Sequence, residues 1–403
     1  MTATATERAA GQPRDAEAPT GIGALLQRPA TPYYVLLGAS ALLLLLGIVM
    51  VFSASSIRAF SVLGSSLAIV SKQVLWVGIG LPALWFASRL PVRAWRLLAY
   101  PALLASLALL VLVAVAGTEV NGNRNWLDFG GPFRIQPSEL AKLALILWGA
   151  DLLARKDRLL HQWKHLCVPF LPVAMLVLGL VLVGGDLGTA VIITAISGAL
   201  LFFAGAPLRL FVAGAVPAGL VVAWMVNTHS TRLRRITDWL QPEQADPLGG
   251  GMQALHGKFA LASGGWWGAG LGASKEKWGA LPEAHTDFIF AILGEELGLV
   301  GTLAVLALLG AIGWAGMRVA FEAQEPFVRL AASGVTVWLL VQALVNVGAV
   351  LGLLPIMGVP LPLVSYGGSA LLPTMLAVGL LLSFARRPNR RRAAPSPARP
   401  ARS

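Results

Sequence analysis

YYVLLGASALLLLLGIVMVF, residues 33–52, is a run of 20 residues without a charged side chain. A helix of that length is about 30 Å long, which matches the hydrocarbon thickness of a bilayer. Further apolar runs follow along the chain, at residues 67–87, 97–116, 137–154, 166–184, 188–205, 208–226, 286–316, 328–352 and 362–384. This pattern predicts an all-α polytopic membrane protein with about ten transmembrane helices.

The composition supports the same fold class. The chain has 403 residues, of which 56% are hydrophobic and only 12% are charged. A soluble domain carries about 25% charged residues, so a water-soluble globular enzyme is excluded. The single cysteine, Cys167, excludes a disulfide framework and a cysteine-based metal cluster. We expect it to be a small buried side chain.

The basic residues indicate how the chain is oriented. The net charge is +12, and seven arginines follow Phe384 directly after the last apolar run. Such a run faces anionic cytoplasmic lipid, and no nucleic-acid-binding module accompanies it, so membrane lipid is the expected partner and nucleic acid is not. The short loops on the opposite side carry only Arg58, Arg124 and Arg134, which places both termini in the cytoplasm.

The predicted organisation has three parts. Residues 1–32 form a disordered cytoplasmic tail, residues 33–385 a ten-helix membrane domain, and residues 386–403 a basic cytoplasmic tail. Residues 227–285 form a large extracytoplasmic loop between the seventh and eighth spans. Loops longer than about 15 residues are usually functional. This one contains many glycines, which permit close backbone approach to a ligand, and tryptophans suited to a membrane interface, at positions 239, 266, 267 and 278.

Charged side chains inside the predicted spans each cost at least about 2.5 kcal/mol, so each is a functional hypothesis. Glu139 and Lys142 lie three residues apart on one helix face, where they either form an internal ion pair or serve a substrate. Asp151 is expected to form a solvated pair with Arg155 at the inner end of the same helix. Asp186 follows two glycines and either caps the next helix or approaches a ligand.

Uncharged polar groups mark the last two spans. Gln342 and Asn346 are four residues apart, and we expect them to make structural hydrogen bonds between helices. Ser365, Gly367 and Gly368 belong to a glycine-bearing turn before the tenth span. Irregular backbone of this kind is tolerated at membrane depth when it lines a cavity, so these three residues are candidates for substrate binding.

The densest group of polar side chains lies in residues 281–290, LPEAHTDFIF. Pro282 predicts a helix start, which would put Asp287 one turn into the helix at the membrane edge. Desolvation there would raise the pKa of this carboxyl from ~3.9 towards the range of a general base. Glu283 would share its helix face and is an alternative base, and Asp186 is an alternative across the cavity.

The same stretch is also a candidate metal site. His285 beside Glu283 and Asp287 does not make a zinc site, because zinc takes three or four protein ligands and the HExxH spacing is absent. No cofactor is certain, but a divalent cation, Mg²⁺ or Mn²⁺, shared with a phosphate-bearing substrate stays open.

Basic residues on the outer side could serve such a substrate. They are Arg124, Arg134, Arg232, Arg234, Arg235, Lys258, Lys275 and Lys277. Cations suit a diphosphate, and a carboxylate suits activation of a hydroxyl group. The residues alone leave an enzyme and a transporter equally open.

Several motifs, taken together, resemble those of the SEDS family of cell-wall proteins (shape, elongation, division and sporulation). They occur in order over nearly the whole chain apart from the tails. The matching stretches are Val49–Ser55, Arg134–Lys142, Asp186–Thr189, Pro282–Ala291, Gly294–Gly298, Gln342–Gly348 and Leu361–Ser369. Ala284 and Gly294 make the chain more similar to the division members of the family than to the elongation members.

The resemblance implies a peptidoglycan glycosyltransferase that polymerises lipid II, an undecaprenyl-diphosphate-linked disaccharide peptide, into glycan strands. It also implies that Asp287 is catalytic and that an α-linked donor gives a β-linked glycan by inversion. The implied partners are a class B penicillin-binding protein and other divisome proteins. The implied location is the division septum, in the inner membrane of a bacterial cell.

Some alternatives stay open beside this interpretation. The chain could be a lipid II flippase, an elongation-type polymerase or a scaffold that recruits the penicillin-binding protein. For the enzyme, the leaving diphosphate is expected to contact cations chosen from Lys142, Arg232, Arg234, Lys258 and Arg124. Arg124 departs from the family pattern, because Asn125 separates it from Trp126.

Overall fold

The computed structural model describes residues 28–120, 123–130, 133–159, 166–228, 230–241, 251–279 and 281–386. Most of the two predicted tails lies outside these residues. Within them the chain forms twelve α-helices and three short strands.

The helices in chain order are α1 Thr31–Leu63, α2 Ala68–Arg89, α3 Val92–Ala116, α4 Pro137–Arg155, α5 Phe170–Val183, α6 Leu187–Phe203, α7 Leu208–Thr228, α8 Ser230–Leu240, α9 Met252–Gly264, α10 Ile289–Glu322, α11 Pro326–Val350 and α12 Gly368–Ala385. The strands are β1 Thr118–Val120, β2 Asn123–Asp128 and β3 Arg134–Ile135.

The all-α polytopic fold is confirmed. Among the described helices, six are long and apolar enough to cross a membrane, namely α1, α2, α3, α10, α11 and α12. The remaining four predicted spans coincide with α4, α5, α6 and α7. α4 carries the ionisable residues Glu139, Lys142, Asp151 and Arg155, and most of this helix is buried among the others, as expected for charged groups that must be kept from lipid.

The structure adds elements that the hydropathy pattern did not predict. α1 continues to Leu63, well past the predicted end at residue 52, so its 33 residues extend about 20 Å further than a bilayer core requires. The predicted long loop contains two helices, α8 and α9. The three strands pair antiparallel between α3 and α4, where Arg134 of β3 forms an ion pair with Asp128 of β2 at 2.8 Å.

Residues 351–367, called here the non-helical segment, connect α11 to α12 through irregular backbone that is largely covered by the bundle. Its carbonyl groups lack the regular partners of a helix, and side chains of α11 supply donors instead. Asn346 Nδ2 donates to Val359 O at 2.7 Å, and Gln342 Nε2 donates to Pro360 O at 3.0 Å. Such side-chain bonds allow irregular backbone to exist at membrane depth.

Asp151 is not the solvated residue that the sequence suggested. It is 0% exposed, and its carboxylate is held between Arg96 of α3 and Arg155 of its own helix, each at 2.7 Å. Packing of α3 against α4 brings Arg96 to this site, a contact that local sequence does not reveal. Asp151 therefore links two helices at their inner ends. Cys167, expected to be buried, is only half-buried.

A buried ionic cluster attaches the outer loop to the bundle. Lys277 Nζ lies 3.0 Å from Glu296 Oε1 of α10 and also donates to Ser53 Oγ of α1. Ser53 Oγ donates to the same carboxylate at 2.6 Å. Gly268 lies so close to α10 that an added Cβ would collide with the Glu296 carbonyl. The loop backbone therefore rests directly on the helix.

Removal of one partner from this cluster leaves an uncompensated buried charge. We expect Lys277→Ala to lower the free energy of unfolding by about 3–5 kcal/mol, because Glu296 stays buried without its cation. Thermal denaturation in detergent measures the effect. Lys275→Ala is the matched control, because the Lys275 side chain is exposed. Equal melting temperatures for the two variants would contradict the prediction.

Candidate active site

Asp287 lies in a turn, residues 281–288, that directly precedes α10. The predicted helix start at Pro282 is wrong, because the helix begins at Ile289. The reason is the backbone of Glu283, whose φ of 55° lies in the left-handed region that right-handed helices cannot use. Glu283 and Asp287 therefore do not share a helix face, although they belong to the same turn.

Three successive carbonyl groups fix this turn to the bundle. Asn346 Nδ2 donates to Asp287 O at 2.7 Å, Ser365 Oγ donates to Thr286 O at 2.7 Å, and the Tyr366 amide donates to His285 O at 3.0 Å. All three donors come from α11 or the non-helical segment. They leave the Asp287 side chain on a rigid support, which is how a catalytic group is held in place.

The surroundings of Asp287 suit a proton acceptor at neutral pH. The pKa of Asp287 is raised to about 7, first by burial and then by the negative charge of Glu283, while the positive charge of Arg235 opposes the rise. Asp287 precedes the membrane-spanning helix α10. A carboxyl with its pKa near the working pH combines a large ionised fraction with useful basicity.

Backbone strain gathers at the same place. In the described chain, the non-glycine residues with positive φ are Glu283 and Leu363, at 55° and 65°. The first lies in the Asp287 turn and the second in the non-helical segment beside it. Strained residues of this kind cluster at functional sites, where surrounding contacts hold them.

The space beside Asp287 is narrow. A cavity of about 10 Å³ is bordered by Asp287, Asn346, Met357 and Gly358. A Cβ added at Gly358 would lie 3.4 Å from Asp287 Oδ2. A sugar ring does not fit in this cavity, so a substrate must reach the carboxyl from its exposed edge.

Asp186 is the N-cap of α6, one of the two roles left open by the sequence. Its carboxylate accepts from the Thr189 amide at 2.9 Å, and it also accepts from Gln136 Nε2 at 2.6 Å. The residue of this segment that lies very close to another part of the chain is Gly188, where an added Cβ would lie 2.6 Å from Met357 O. The glycine thus lets α6 pack against the non-helical segment.

Glu139 and Lys142 form the internal ion pair, at 2.8 Å, and their side chains are 3% and 1% exposed. Lys142 Nζ also donates to Gln342 Oε1 at 2.9 Å, and Trp338 Nε1 donates to the same oxygen at 2.7 Å. These two donors fix the amide so that its nitrogen faces Pro360 O. Lys142 therefore positions Gln342 and does not line an open surface.

The predicted outer cations belong to three different elements, β2, α8 and α9. Arg124 is exposed on β2, and Arg234 pairs with Asp238 of its own helix at 3.9 Å. Arg232 belongs to α8, but its side chain lies outside the described residues. Lys258 of α9 lies against Gly352, where an added Cβ would be 3.1 Å from Nζ.

Arg235 was named from the sequence only among the outer basic residues and not among the cations expected to contact the leaving diphosphate, yet its charge acts on Asp287. It lies four residues before Trp239 on α8, hence on the same helix face. Trp239 Nε1 donates to Gly352 O at 3.0 Å, which holds α8 against the non-helical segment. In the sequence, the signal for Arg235 was its position four residues before Trp239, which predicts that both side chains lie on one face of a helix.

Two of the glycine-turn candidates make structural contacts. The Gly367 amide donates to Gln73 Oε1 at 3.4 Å, and a Cβ at Gly368 would collide with the indole of Trp76. Both contacts join the start of α12 to α2. Ser365 binds the Asp287 turn, as described above. Among the described residues, no group of three or more His, Cys, Asp and Glu side chains could hold a metal ion.

Comparison with known proteins places these observations in context. The family model FTSW_RODA_SPOVE, described as a cell cycle protein, matches residues 34–390. The probable peptidoglycan glycosyltransferase FtsW of Mycobacterium tuberculosis is 42% identical over 379 residues, which cover 94% of this chain and 72% of that protein.

Solved structures show the same architecture. One, described as "Structural coordination of polymerization and crosslinking by a peptidoglycan synthase complex", has a TM-score of 0.71 and 31% identity, with 87% of this chain and 96% of that chain covered. The rod shape determining protein RodA of Thermus thermophilus has a TM-score of 0.65 and 30% identity, with 88% and 96% covered.

Asn346 is the side chain on which the Asp287 turn most depends. Asn346→Ala leaves two buried carbonyl groups unsatisfied, and we expect the free energy of unfolding to fall by ~2–6 kcal/mol. Thermal denaturation in detergent checks this. Ser333→Ala on the same helix is the control, because Ser333 Oγ donates to Leu330 O within the helix. A melting temperature for Asn346→Ala no lower than that of the control would refute the assignment.

Proposed function

The chain belongs to the FtsW, RodA and SpoVE family of cell-cycle proteins, and we propose that it polymerises lipid II into glycan strands with Asp287 as general base. It is a division-associated peptidoglycan glycosyltransferase, the name carried by relatives that are 38–42% identical over most of the chain. The observation that carries the proposal for Asp287 is a half-buried side chain, fixed through its own backbone, with a pKa raised to about 7.

The proposed reaction is a single displacement. The acceptor hydroxyl gives its proton to the Asp287 carboxylate while its oxygen attacks the anomeric carbon of the donor. The bond from that carbon to the diphosphate oxygen breaks, and its electron pair leaves with the lipid diphosphate. This step converts an α-linked donor into a β-linked glycan, and it requires one base and no covalent intermediate.

The leaving diphosphate gathers negative charge, and fixed cations in a site of low polarity stabilise it. We propose Arg235 and Lys258 for this role, because both belong to helices that contact the non-helical segment at Gly352. Arg232 and Arg234 of α8 are further candidates. The described residues contain no group of three or more ligands that could hold a metal ion, so a Mg²⁺ or Mn²⁺ ion would arrive with the substrate phosphates and would supply additional positive charge there.

The chain is a multi-pass membrane protein, and we propose that it acts at the division septum of the bacterial inner membrane. A class B penicillin-binding protein is the proposed partner, with other divisome proteins around the pair. The similarity to a solved peptidoglycan synthase complex supports an assembly with a crosslinking enzyme.

The sharpest test removes the basicity of Asp287 and keeps its shape. Asp287→Asn is expected to slow strand formation from purified lipid II by about 10²–10⁴-fold, since general bases contribute that much to rate. Expression level and partner binding should stay unchanged. Glu283→Gln is the matched control in the same turn and is expected to retain most of the activity.

The outcomes of this test are distinct. Wild-type rates for Asp287→Asn together with a large loss for Glu283→Gln would assign the base to Glu283. If the unaltered protein moves lipid II between leaflets and makes no strands, it is a transporter and not a polymerase. If both variants make strands at the wild-type rate, neither Asp287 nor Glu283 is the base.

The pH dependence gives an independent prediction. The base is active when ionised, so the rate should rise with pH up to about 7 and level off above it, following the raised pKa of Asp287. Arg235→Gln removes a charge that lowers this pKa, so the inflection should move to higher pH. Glu283→Gln removes a charge that raises it, so the inflection should move to lower pH. Identical pH–rate profiles for all three proteins would contradict this electrostatic account.

A further inference from the structure

A second and larger cavity borders the first part of the Asp287 turn, from Leu281 to His285. Its volume is about 280 Å³, close to the lower limit of ~300 Å³ for small-molecule pockets. One wall is the outer part of α1, where Arg58 and Ser61 lie three residues apart and hence on one helix face. The opposite wall belongs to the end of the outer loop and the start of the Asp287 turn, and it includes Lys277, Trp278 and His285.

The charge on these walls is not balanced. Lys277 is neutralised by Glu296, as described above. His285 is buried, and burial lowers its pKa; the charge of Glu283 opposes this shift, and the charge of Arg58 adds to it. Arg58 is exposed, and among the described residues no carboxylate forms an ion pair with it. The cavity therefore presents the exposed guanidinium of Arg58 to an incoming ligand.

Trp278 supplies a surface of a different kind. Its side chain is 72% exposed, so one face of the indole ring is accessible to a ligand. An indole face packs well against the apolar C–H face of a pyranose ring. Ser61 and His285 add hydrogen-bonding groups suited to sugar hydroxyls. An aromatic platform, polar groups and a cation together fit a sugar that carries an anionic substituent.

The cavity is also close to the reacting carboxyl. His285 lines the cavity and Asp287 lies two residues further along, so their Cα atoms are within about 7 Å of each other. A sugar bound in the cavity would therefore neighbour the sugar that reacts at Asp287.

We propose that this cavity is a subsite that holds the growing glycan strand, with a pyranose ring on Trp278 and the anionic group of its peptide substituent facing Arg58. The inference rests on the proposed function, because it requires a strand-forming reaction. The subsite retains the strand between successive additions, so its loss shortens the product without slowing the first bond.

The test uses the full chain with its transpeptidase partner and labelled lipid II. The initial rate of the first glycosidic bond and the length distribution of the strands are measured separately. Arg58→Gln and Trp278→Ala are expected to shorten the strands by about fivefold or more, with the first-bond rate unchanged. Lys72→Gln and Trp267→Ala are matched controls, because both side chains are exposed and lie outside the cavity.

A second experiment uses lipid II with an amidated, uncharged peptide and tests whether the peptide supplies the anionic group that faces Arg58. On this substrate the unaltered protein should make strands as short as those of Arg58→Gln. Strands of unaltered length from both cavity variants would overturn the proposal, and so would a first-bond rate that falls as much as the strand length. Absence of strands from the unaltered protein would overturn the proposed function instead.

Discussion

The structure depends on keeping irregular backbone satisfied inside a membrane protein. Carbonyl groups that are buried away from water need a partner from the protein, and much of the non-helical segment is buried. Asn346 and Gln342 of α11 supply donors to Val359 and Pro360. Asn346 also binds the Asp287 carbonyl, so the bonds that stabilise the fold also fix the candidate base.

The charged side chains fall into two groups: buried ones that are paired inside the protein, and exposed ones that a substrate can reach. Lys142, Asp151 and Lys277 are buried, and each has an opposite charge within 3.0 Å, which offsets the cost of removing them from water. Arg235 and Arg58 are exposed; the charge of Arg235 acts on Asp287, and Arg58 lines the larger cavity. Charges of this second kind can meet a substrate without breaking an internal pair.

The sequence predicted the spans well because a bilayer imposes both a length and a composition on each helix. It did not predict α8, α9 or the extension of α1, since these elements are stabilised by contacts with distant residues. Ser53, for example, binds Glu296 across most of the chain. Asp287 was identifiable from its place at a membrane edge, but the left-handed Glu283 was not, because donors from α11 and the non-helical segment shape that turn.

The Asp287 turn borders two cavities, and the proposed strand-forming reaction involves both. Asp287 borders the non-helical segment, whereas His285 lines the larger cavity beside α1. Their carbonyl groups are bound by Asn346 and by the Tyr366 amide, so the two faces are fixed to the same support. A strand held beside His285 would therefore stay close to the base between additions, which is the condition for repeated addition without release.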